Sequence, residues 1–354
     1  MTVFLVDIES VPTRYTCEWK THIPELLQFH GFDVVVIEGD LNIPEATTPG
    51  AFLNFGGTNM YKATQVHKLA EIFTKGCIKP GDHIIFTDAW HPGIINVKYM
   101  SELLNIPVIT HGLWHAGSYD PNDFLGRLVG DKPWIRHAEQ AFIGAFTHNW
   151  LATAAHFNLM KETYDIMHDR SFDRTGWPME YTESMIAPKL WAKKENIIVF
   201  PHRIAPEKRL DLFHMLASRP ELWKYQFCVA MEMNLSKTEY HELLQRAKFA
   251  VSFAEQETLG ISMYEAACAG ACPLVPNRLS YTEMYDPMFK RADSVDSAVN
   301  AILEYEDEEM SERIAQLVAK LHHNFFSATR LIDCLKQHKT TMGLINKLNE
   351  AKGI

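Results

Sequence analysis

The chain has 354 residues, of which 47% are apolar and 22% are charged, and its formal net charge at pH 7 is −10. This length suits two domains of roughly 150 to 180 residues better than one hydrophobic core. The average composition excludes a disordered or fibrous protein. The acidic balance argues against a surface coated in basic residues for nonspecific nucleic-acid binding, although a local basic groove is compatible with it.

The sequence shows no transmembrane or signal segment and only six cysteines. No apolar run approaches the ~20 residues that cross a bilayer, and the start, MTVFLVDIES, lacks the basic and long apolar regions of a signal peptide. We therefore expect a cytoplasmic protein with no membrane partner. The six cysteines suit reduced thiols. Cys268 and Cys272 have helical spacing, but no nearby Cys or His pair completes a metal site, so a buried structural role is favoured.

Short apolar runs rich in β-branched residues recur in the first half of the chain, with amphipathic stretches of helix length between them. The runs are TVFLVDI (2–8), DVVVIEG (33–39), HIIFTDAW (83–90), IPVITHG (106–112) and FIGAFTH (142–148). Continuous apolar strands that alternate with helices indicate a parallel sheet covered on both faces. We predict a Rossmann-like lobe over residues 1–180.

A polar stretch around residues 170–195 interrupts this pattern and predicts a connection between lobes. The alternation then resumes with the strand-like runs ENIIVFPHR, WKYQFCVAM, KFAVSFA and ACPLVP. We predict a second Rossmann-like lobe over residues 181–330, and a helix over 331–354 that closes this lobe or crosses back to the first. The predicted class is α/β, with two doubly wound parallel-sheet lobes facing across a ligand-binding cleft.

The segment FAEQETLGISMYEAACAGACPLVP (253–276) contains the most informative pattern. Its turn, from Glu257 to Gly260, follows a predicted strand and precedes a predicted helix. Free backbone N–H groups and the positive helix end favour a phosphate there, and Gly260 permits close approach to the backbone. Glu257 lies outside the helix and can accept hydrogen bonds from ligand hydroxyls, whereas Glu265 lies about one turn inside it.

A second motif, FPHRIAPEKRLDLF, places Arg203 just after a strand and Lys208 at the start of a helix. Two fixed cations beside a phosphate would neutralise a diphosphate and stabilise its departure. No Asp-x-Asp pattern suggests a metal. The alternative is that both cations are surface charges paired with Glu207 and Asp211. The order and spacing of the two motifs together favour a nucleotide-sugar.

These residues resemble a known family. Glu257, Glu265 eight residues later, and the following Ala266, Gly270 and Pro273 are similar to the donor-binding signature of retaining GT-B glycosyltransferases, especially glycosyltransferase family 4. The segment HRIAPEKRLDLF is similar to the Arg-x4-Lys segment of that family. The likeness covers most of residues 196–290. It implies that the second lobe binds the donor and the first lobe the acceptor.

The resemblance also implies roles for individual residues. Glu257 would contact the donor sugar and Glu265 the ribose, while Arg203 and Lys208 would hold the diphosphate. Backbone groups would help them, at Thr258, Leu259 and Gly260. The sugar would be transferred with retention of anomeric configuration. The donor, with UDP-sugars the first expectation, would be a cosubstrate, and neither a metal nor a further cofactor is expected.

The first lobe matches the family less closely. Many relatives carry a Gly-Gly loop after the first strand, whereas this chain has DIESVPTRY. His111, in VITHGLWH, resembles the cleft histidine of the family that lies close to the donor sugar; a structural role is the alternative. Neighbouring strand ends carry residues that could line the acceptor side or be ordinary loop residues: Asp88, Trp90, His91, Trp114 and His115.

The acceptor is suggested by a finer similarity. FPHRIAPEK and CPLVPNRLSYTE look more like the tRNA-queuosine mannosyltransferase branch than like lipopolysaccharide-type enzymes, and phage glycosyltransferases that modify hydroxymethylcytosine share the GT-B architecture. A modified base in DNA or tRNA is therefore the leading acceptor. Stacking and basic side chains for an extruded base could come from Trp90, Trp114, Tyr119, Arg127, Lys132, Trp134 and Arg136.

Other functions stay open at this point. A saccharide or small metabolite is the alternative acceptor, and it would need no basic rim. A non-catalytic nucleotide-sugar binder and an epimerase of GT-B shape are the less favoured classes. The motifs do not indicate an oligomeric state.

Overall fold

The computed structural model of the protein describes residues 1–40, 54–130, 132–164 and 171–337. These residues form two compact units. The first comprises the described residues of 1–151, 159–178 and 328–337, and the second comprises 152–158 and 179–327. The sequence places the division between residues 180 and 181; in the structure it lies at Pro178 and Met179, and the short segment 152–158 also belongs to the second unit.

The last predicted segment, 331–354, is only partly described. Residues 329–337 are helical and belong to the first unit. Residues 338–354 lie outside the described part of the chain.

The first unit is built on six parallel strands. They are β1 (Thr2–Val6), β2 (Asp33–Ile37), β3 (His83–Phe86), β4 (Ile109–Leu113), β5 (His148–Leu151) and β6 (Phe172–Arg174). Their order in the sheet is β2-β1-β3-β4-β5-β6. All the residues of β3 and four of the five in β1 are buried, as expected for parallel strands that are covered on both faces.

Helices join these strands. They are α1 (Tyr15–Phe29), α2 (Phe55–Thr74), α3 (Gly93–Leu103), α4 (Phe124–Val129), α5 (Pro133–Ala145) and α6 (Ala154–Tyr164). In α1 the buried residues are Thr16, Trp19, Ile23 and Leu27. This spacing places them along one face of the helix, which covers the sheet.

The second unit has four parallel strands and seven helices among its described residues. The strands are β7 (Glu195–Phe200), β8 (Gln226–Val229), β9 (Ala247–Val251) and β10 (Cys272–Leu274). The helices are α7 (Thr182–Met185), α8 (Leu210–Ala217), α9 (Lys237–Arg246), α10 (Ile261–Cys268), α11 (Tyr281–Met284), α12 (Val295–Tyr305) and α13 (Ser311–Phe325). The sheet order is β10-β9-β7-β8. Single 3-10 turns lie at Trp191–Lys193, Pro206–Lys208, Pro220–Leu222 and Ala230–Met233.

One strand prediction is wrong. Residues 142–145 of the run FIGAFTH form the last turn of α5, and β5 begins only at His148. Helix α5 has proline in its first turn and buries Ile135, Phe142 and Ile143, which are spaced for one helical face. A short apolar run cannot by itself distinguish a buried strand from a buried helix end.

The polar stretch read as a connection contains a strand that the sequence reading missed. Strand β6 pairs in parallel with β5 at the edge of the first sheet. Its three residues, Phe172–Arg174, are half-buried or exposed, so they lack the apolar signal of the inner strands. Separately, no helix among the described residues has the length and apolar character needed to span a bilayer.

Candidate functional site

The two predicted donor motifs meet where the strand order of the second sheet reverses. From β7 the chain proceeds to β8 on one side and then to β9 on the other. In open parallel sheets, ligands bind at the carboxyl ends of the two strands that flank such a reversal. The segment after β7 carries Arg203 and Lys208, and the segment after β9 carries Glu257. A backbone hydrogen bond from Glu255 N to Glu207 O, 2.8 Å long, joins the two segments.

Lys208 and Glu257 form a buried ion pair at this position. Lys208 ends the 3-10 turn Pro206–Lys208 and is 5% exposed. Its Nζ lies 3.0 Å from Oε2 of Glu257 and donates to the carbonyl of Gln256 at 2.5 Å. Because a buried ion pair contributes little net stability, its position at a sheet reversal makes it a candidate functional pair.

The carboxyl group of Glu257 is held in its charged form. Burial works to raise its pKa, but the Lys208 ammonium, with a smaller contribution from the Gly260 N–H, lowers the pKa below the ordinary value. The side chain of Glu257 retains 15% exposure. It can therefore accept a hydrogen bond from a ligand hydroxyl while its charge remains balanced by Lys208.

Arg203 lies close to the same cluster but has a different partner. Its Nη2 is 2.5 Å from Oε1 of the buried Glu207, and its side chain is 32% exposed. The alternative pairing of Arg203 with Glu207 is thus present in the structure. Asp211 pairs with Arg209 instead of Lys208. Arg203 can extend to an anion only if it shares or exchanges its contact with Glu207.

The turn before α10 has the geometry expected of a phosphate-binding loop. Gly260 is the N-cap of α10 and has a φ of 73°, a conformation that other residues adopt only with strain. The carbonyl of Thr258 accepts a 3.1 Å hydrogen bond from Oγ1 of Thr153, and Leu259 is 2% exposed. The contact with Thr153 therefore anchors the loop, which lies at the positive end of helix α10.

Glu265 lies further along α10 and is half-buried. Its carboxylate accepts a hydrogen bond from the hydroxyl of Tyr240 in α9, at 3.3 Å. The structure therefore joins Lys208 and Glu257 directly, and places Glu265 in the next turn of the helix, where Tyr240 orients it.

His202 lies beside the candidate site, and the motif reading did not single it out. It is buried, and its Nδ1 lies 3.0 Å from the hydroxyl of Ser262 in the first turn of α10. Burial, followed by the charge of Lys208, lowers the pKa of His202 to about 3, so the imidazole is neutral at ordinary pH. The available signal was a histidine between proline and arginine at the end of a strand.

His111 has the buried environment of the structural alternative and not that of a cleft residue. It lies within β4, which continues to Leu113, and has no exposed surface. Its ring stacks between those of His83 and His148, with centroid distances of 5.0 Å to each. The imidazole therefore belongs to the interior of the first unit.

Several predicted acceptor-side residues are engaged within the first unit. Asp88 pairs with Lys62 at 2.7 Å, and the Trp90 indole N–H donates to Glu139 at 2.6 Å. His115 contacts Tyr15 and the carbonyl of Thr87. Three further candidates are buried and cannot stack on a ligand base in this state: His91, Trp114 and Tyr119.

The glycine-free loop after β1 carries two buried carboxylates. Asp7 accepts hydrogen bonds from Lys20 and from the hydroxyl of Tyr61, and Glu9 accepts from Thr58 at 2.5 Å. This loop follows β1, beside the reversal between β1 and β3 in the first sheet. This loop presents a network of ordered side chains instead of an open glycine backbone.

An exposed basic and aromatic patch lies near the start of α5. Trp134 is 58% exposed, Lys132 and Arg127 are exposed, and Arg136 is half-buried. The side chain of Arg127 donates to the carbonyl of Asn122 at 2.9 Å. We call these four residues the Trp134 patch. The patch contains four of the seven predicted base-contacting residues. Of the other three, Trp90 is half-buried, and Trp114 and Tyr119 are buried.

No protein-family model matches the chain. Among curated proteins, the tRNA-queuosine alpha-mannosyltransferase of Drosophila melanogaster is 38% identical over 52 residues, which is 15% of this chain and 14% of that protein. A match of this length does not assign the activity of that protein to this chain.

Solved structures resemble the chain over much more of its length. The catalytic domain of starch synthase IV from Arabidopsis thaliana, bound to ADP and acarbose, has a TM-score of 0.60 and 11% identity, covering 96% of this chain and 99% of that one. Sucrose-phosphate synthase from Thermosynechococcus elongatus has a TM-score of 0.57 and 11% identity, with 99% of each chain covered. TarM has a TM-score of 0.53 and 16% identity over 78% of this chain, which spans 58% of TarM.

At these identities the likeness concerns the fold. The two matched structures cover 96% and 99% of this chain. Together with the two units built on parallel sheets, this confirms the predicted α/β GT-B fold. The function must be argued from the residues of the site.

Proposed function

We propose that the chain is a glycosyltransferase that moves a sugar from a nucleotide-diphosphate sugar to an acceptor hydroxyl. The observation that carries this proposal is the buried pair of Lys208 and Glu257, 3.0 Å apart, at the carboxyl ends of the two strands where the second sheet reverses. Lys208 could neutralise a diphosphate, and Glu257, next to it, could accept a hydrogen bond from a sugar hydroxyl.

In this proposal, the diphosphate binds at the start of α10. The backbone N–H groups of Thr258, Leu259 and Gly260 bind its oxygens, and Lys208 and Arg203 balance the charge that develops as it departs. Binding of the diphosphate draws Arg203 toward the anion, while Glu207 remains its buried counter-charge. Glu257 contacts the donor sugar, and Glu265 contacts the ribose.

The proposed transfer retains the configuration of the anomeric carbon. The sugar passes through an oxocarbenium-like state as the bond to the leaving phosphate breaks, and the acceptor hydroxyl attacks on that same face. A departing phosphate oxygen takes the hydroxyl proton, so no enzyme nucleophile is needed. Lys208 is hydrogen-bonded by the protein before the donor arrives, which reduces the reorganisation required in the transition state. His111 has no exposed surface and is not included.

The proposed acceptor is a modified base in DNA or tRNA. It is supported by the 52-residue match to a tRNA-queuosine alpha-mannosyltransferase and by the Trp134 patch, whose four residues comprise an exposed aromatic ring and three basic side chains. A saccharide is the second candidate, because starch synthase and sucrose-phosphate synthase share the fold. UDP-sugars are the first donors to test, and the ADP bound by starch synthase IV adds ADP-glucose.

The experiment is a transfer assay with purified full-length protein. Donors are UDP-glucose, UDP-arabinose, GDP-mannose and ADP-glucose, and acceptors are plain DNA, hydroxymethylcytosine DNA, tRNA and oligosaccharides. Nucleosides and sugars are analysed by mass spectrometry, and the anomeric configuration of a product by NMR. A mass gain on one nucleoside supports the nucleobase acceptor, whereas a gain only on a saccharide replaces it with the second candidate.

Site variants test the donor assignment. Glu257→Gln should reduce transfer by more than ~10-fold, because it removes the charge that faces the sugar. The matched control is Glu255→Gln, two residues earlier in the same loop, where the carboxylate is 43% exposed and pairs with Arg209. Equal activity of the Glu257 variant and wild type would remove this site from the reaction.

A further inference from the structure

Three histidines form a stack across the first sheet. They are His83 in β3, His111 in β4 and His148 in β5. Adjacent rings are 5.0 Å apart between centroids and lie within 14° of parallel. His111 and His148 are direct partners in the parallel register, so their side chains point to the same face of the sheet.

A cysteine from far along the chain meets this stack. Cys334 belongs to the helical segment 329–337, and its Sγ lies 3.9 Å from Nδ1 of His148 and 3.9 Å from Oδ2 of Asp173. Asp173 Oδ2 is itself 2.7 Å from His148 Nδ1. One ligand atom each from His111, His148 and Cys334 fall within 4.8 Å of one another. Two imidazoles and a thiol therefore converge, and the carboxylate of Asp173 lies beside two of them, His148 and Cys334.

We propose that His111, His148, Cys334 and Asp173 form a structural zinc site. Nitrogen, sulfur and oxygen ligands in fourfold coordination are those that Zn²⁺ takes in proteins. Zinc bonds of about 2.3 Å to sulfur and 2.0–2.1 Å to nitrogen separate those two atoms by about 3.6 Å in a tetrahedron. The observed 3.9 Å is close to this separation. To admit the ion, His148 Nδ1 and Asp173 Oδ2, now 2.7 Å apart, must separate by less than about 1 Å, and the Asp173 side chain must rotate toward His111 to complete the coordination.

His83 serves as the outer partner of the site. Its Nδ1 lies 2.8 Å from Nε2 of His111, so the second ring nitrogen of His111, Nδ1, is the one assigned to the metal. Zinc-bound histidines are usually held in this way through their other nitrogen, which fixes the tautomer and the ring orientation. Since the site uses four protein ligands, it is closed to substrate and has a structural role.

Burial and connectivity indicate what the ion would do. His111 is fully buried, whereas the side chains of His148 and Asp173 are 15% and 37% exposed, so the ion enters from the outer side. Cys334 is 186 positions from His148 in sequence. The zinc ion would fasten the segment 329–337 to β4, β5 and β6 of the first unit. On binding, the Cys334 thiol loses its proton to solvent and the imidazoles bind in their neutral form.

Metal titration of the full-length protein tests the site. The protein is treated with a chelator under reducing conditions, desalted and titrated with Co²⁺ and then Zn²⁺. We expect one equivalent of Co²⁺ to produce a thiolate-to-cobalt charge-transfer band and the strong visible bands of tetrahedral cobalt, and Zn²⁺ to remove them. Zn²⁺ should also raise the Tm. Absence of a thiolate–cobalt band at stoichiometric or excess Co²⁺ overturns the proposal.

Variants locate the ion. Cys334→Ser should weaken Zn²⁺ binding by at least ~10-fold and lose the charge-transfer band, as expected when a ligand is replaced. Cys77→Ser, at an exposed cysteine of the same unit, should bind as wild type. If Cys334→Ser does not fold, Asp173→Asn provides the second variant and should weaken binding with the thiolate band retained. Unchanged affinity in the ligand variants overturns the assignment. Because the readouts are optical and calorimetric, they are independent of the proposed sugar transfer.

Discussion

Lys208→Met separates the stabilising role of the buried ion pair from its proposed role in transfer. Methionine keeps most of the side-chain volume and removes the ammonium. It leaves Glu257 without its 3.0 Å partner and Gln256 O without its donor. Loss of one partner from a buried pair costs about 3–5 kcal/mol. Because the Glu257 side chain keeps 15% exposure, we expect the lower end, about 3 kcal/mol, and a rise in the pKa of Glu257.

The double variant Lys208→Met/Glu257→Gln removes both charges. Most of the lost stability should return, since no uncompensated carboxylate then remains buried. Transfer should stay at least ~100-fold below wild type, because neither the diphosphate cation nor the sugar-binding carboxylate is restored. Lys193→Met, at an exposed lysine of the same unit, should leave both stability and transfer unchanged.

Stability would be measured by urea unfolding followed by circular dichroism, and hydrogen exchange of peptides from β7 and β9 would localise the change. Transfer would be measured with the best donor from the assay above, and nucleotide diphosphate binding by calorimetry. If the double variant regains transfer together with stability, the pair is structural only, and the assignment of the donor site to this loop is refuted.

Two further predictions concern the same loop. Gly260→Ala should destabilise the second unit by about 1–2 kcal/mol and weaken nucleotide binding, because the φ of Gly260 is positive and an added Cβ would lie 2.6 Å from the buried ring of Tyr281. The control Gly144→Ala, in α5 with open space around it, should have little effect in the same unfolding assay. Equal losses of stability in the two variants would contradict the reasoning. The pKa of His202 is about 3 in the folded protein and about 6.5 in the unfolded chain. The unfolded state therefore binds more protons below pH 6.5, and the free energy of unfolding falls as the pH is lowered, by about 2 kcal/mol at pH 5. His202→Asn should remove this part of the pH dependence of unfolding, whereas His214→Asn, at an exposed histidine, should not. If stability falls with pH in the same way in both variants, the assignment to His202 is wrong.

The sequence by itself determined the class of the fold and the donor motifs. Apolar β-branched runs specified most of the parallel strands, because a strand covered on both faces has no polar side to conceal its pattern. Strand β6 was missed, since Phe172–Arg174 are half-buried or exposed at the sheet edge. The end of α5 was assigned to a strand, since a four-residue apolar run fits either period. The Glu257–Gly260 turn was placed correctly between β9 and α10.

Only the tertiary structure decided which charges meet. Lys208 and Glu257 are 49 residues apart in sequence, and they pair because the order β10-β9-β7-β8 places the ends of β7 and β9 side by side. The same holds for Cys334 and His148. It holds also for the burial of His111, for which the sequence left a cleft role and a structural role open. Local pattern specifies which element a residue belongs to, whereas strand order and the packing of distant segments specify its neighbours, and chemistry depends on the neighbours.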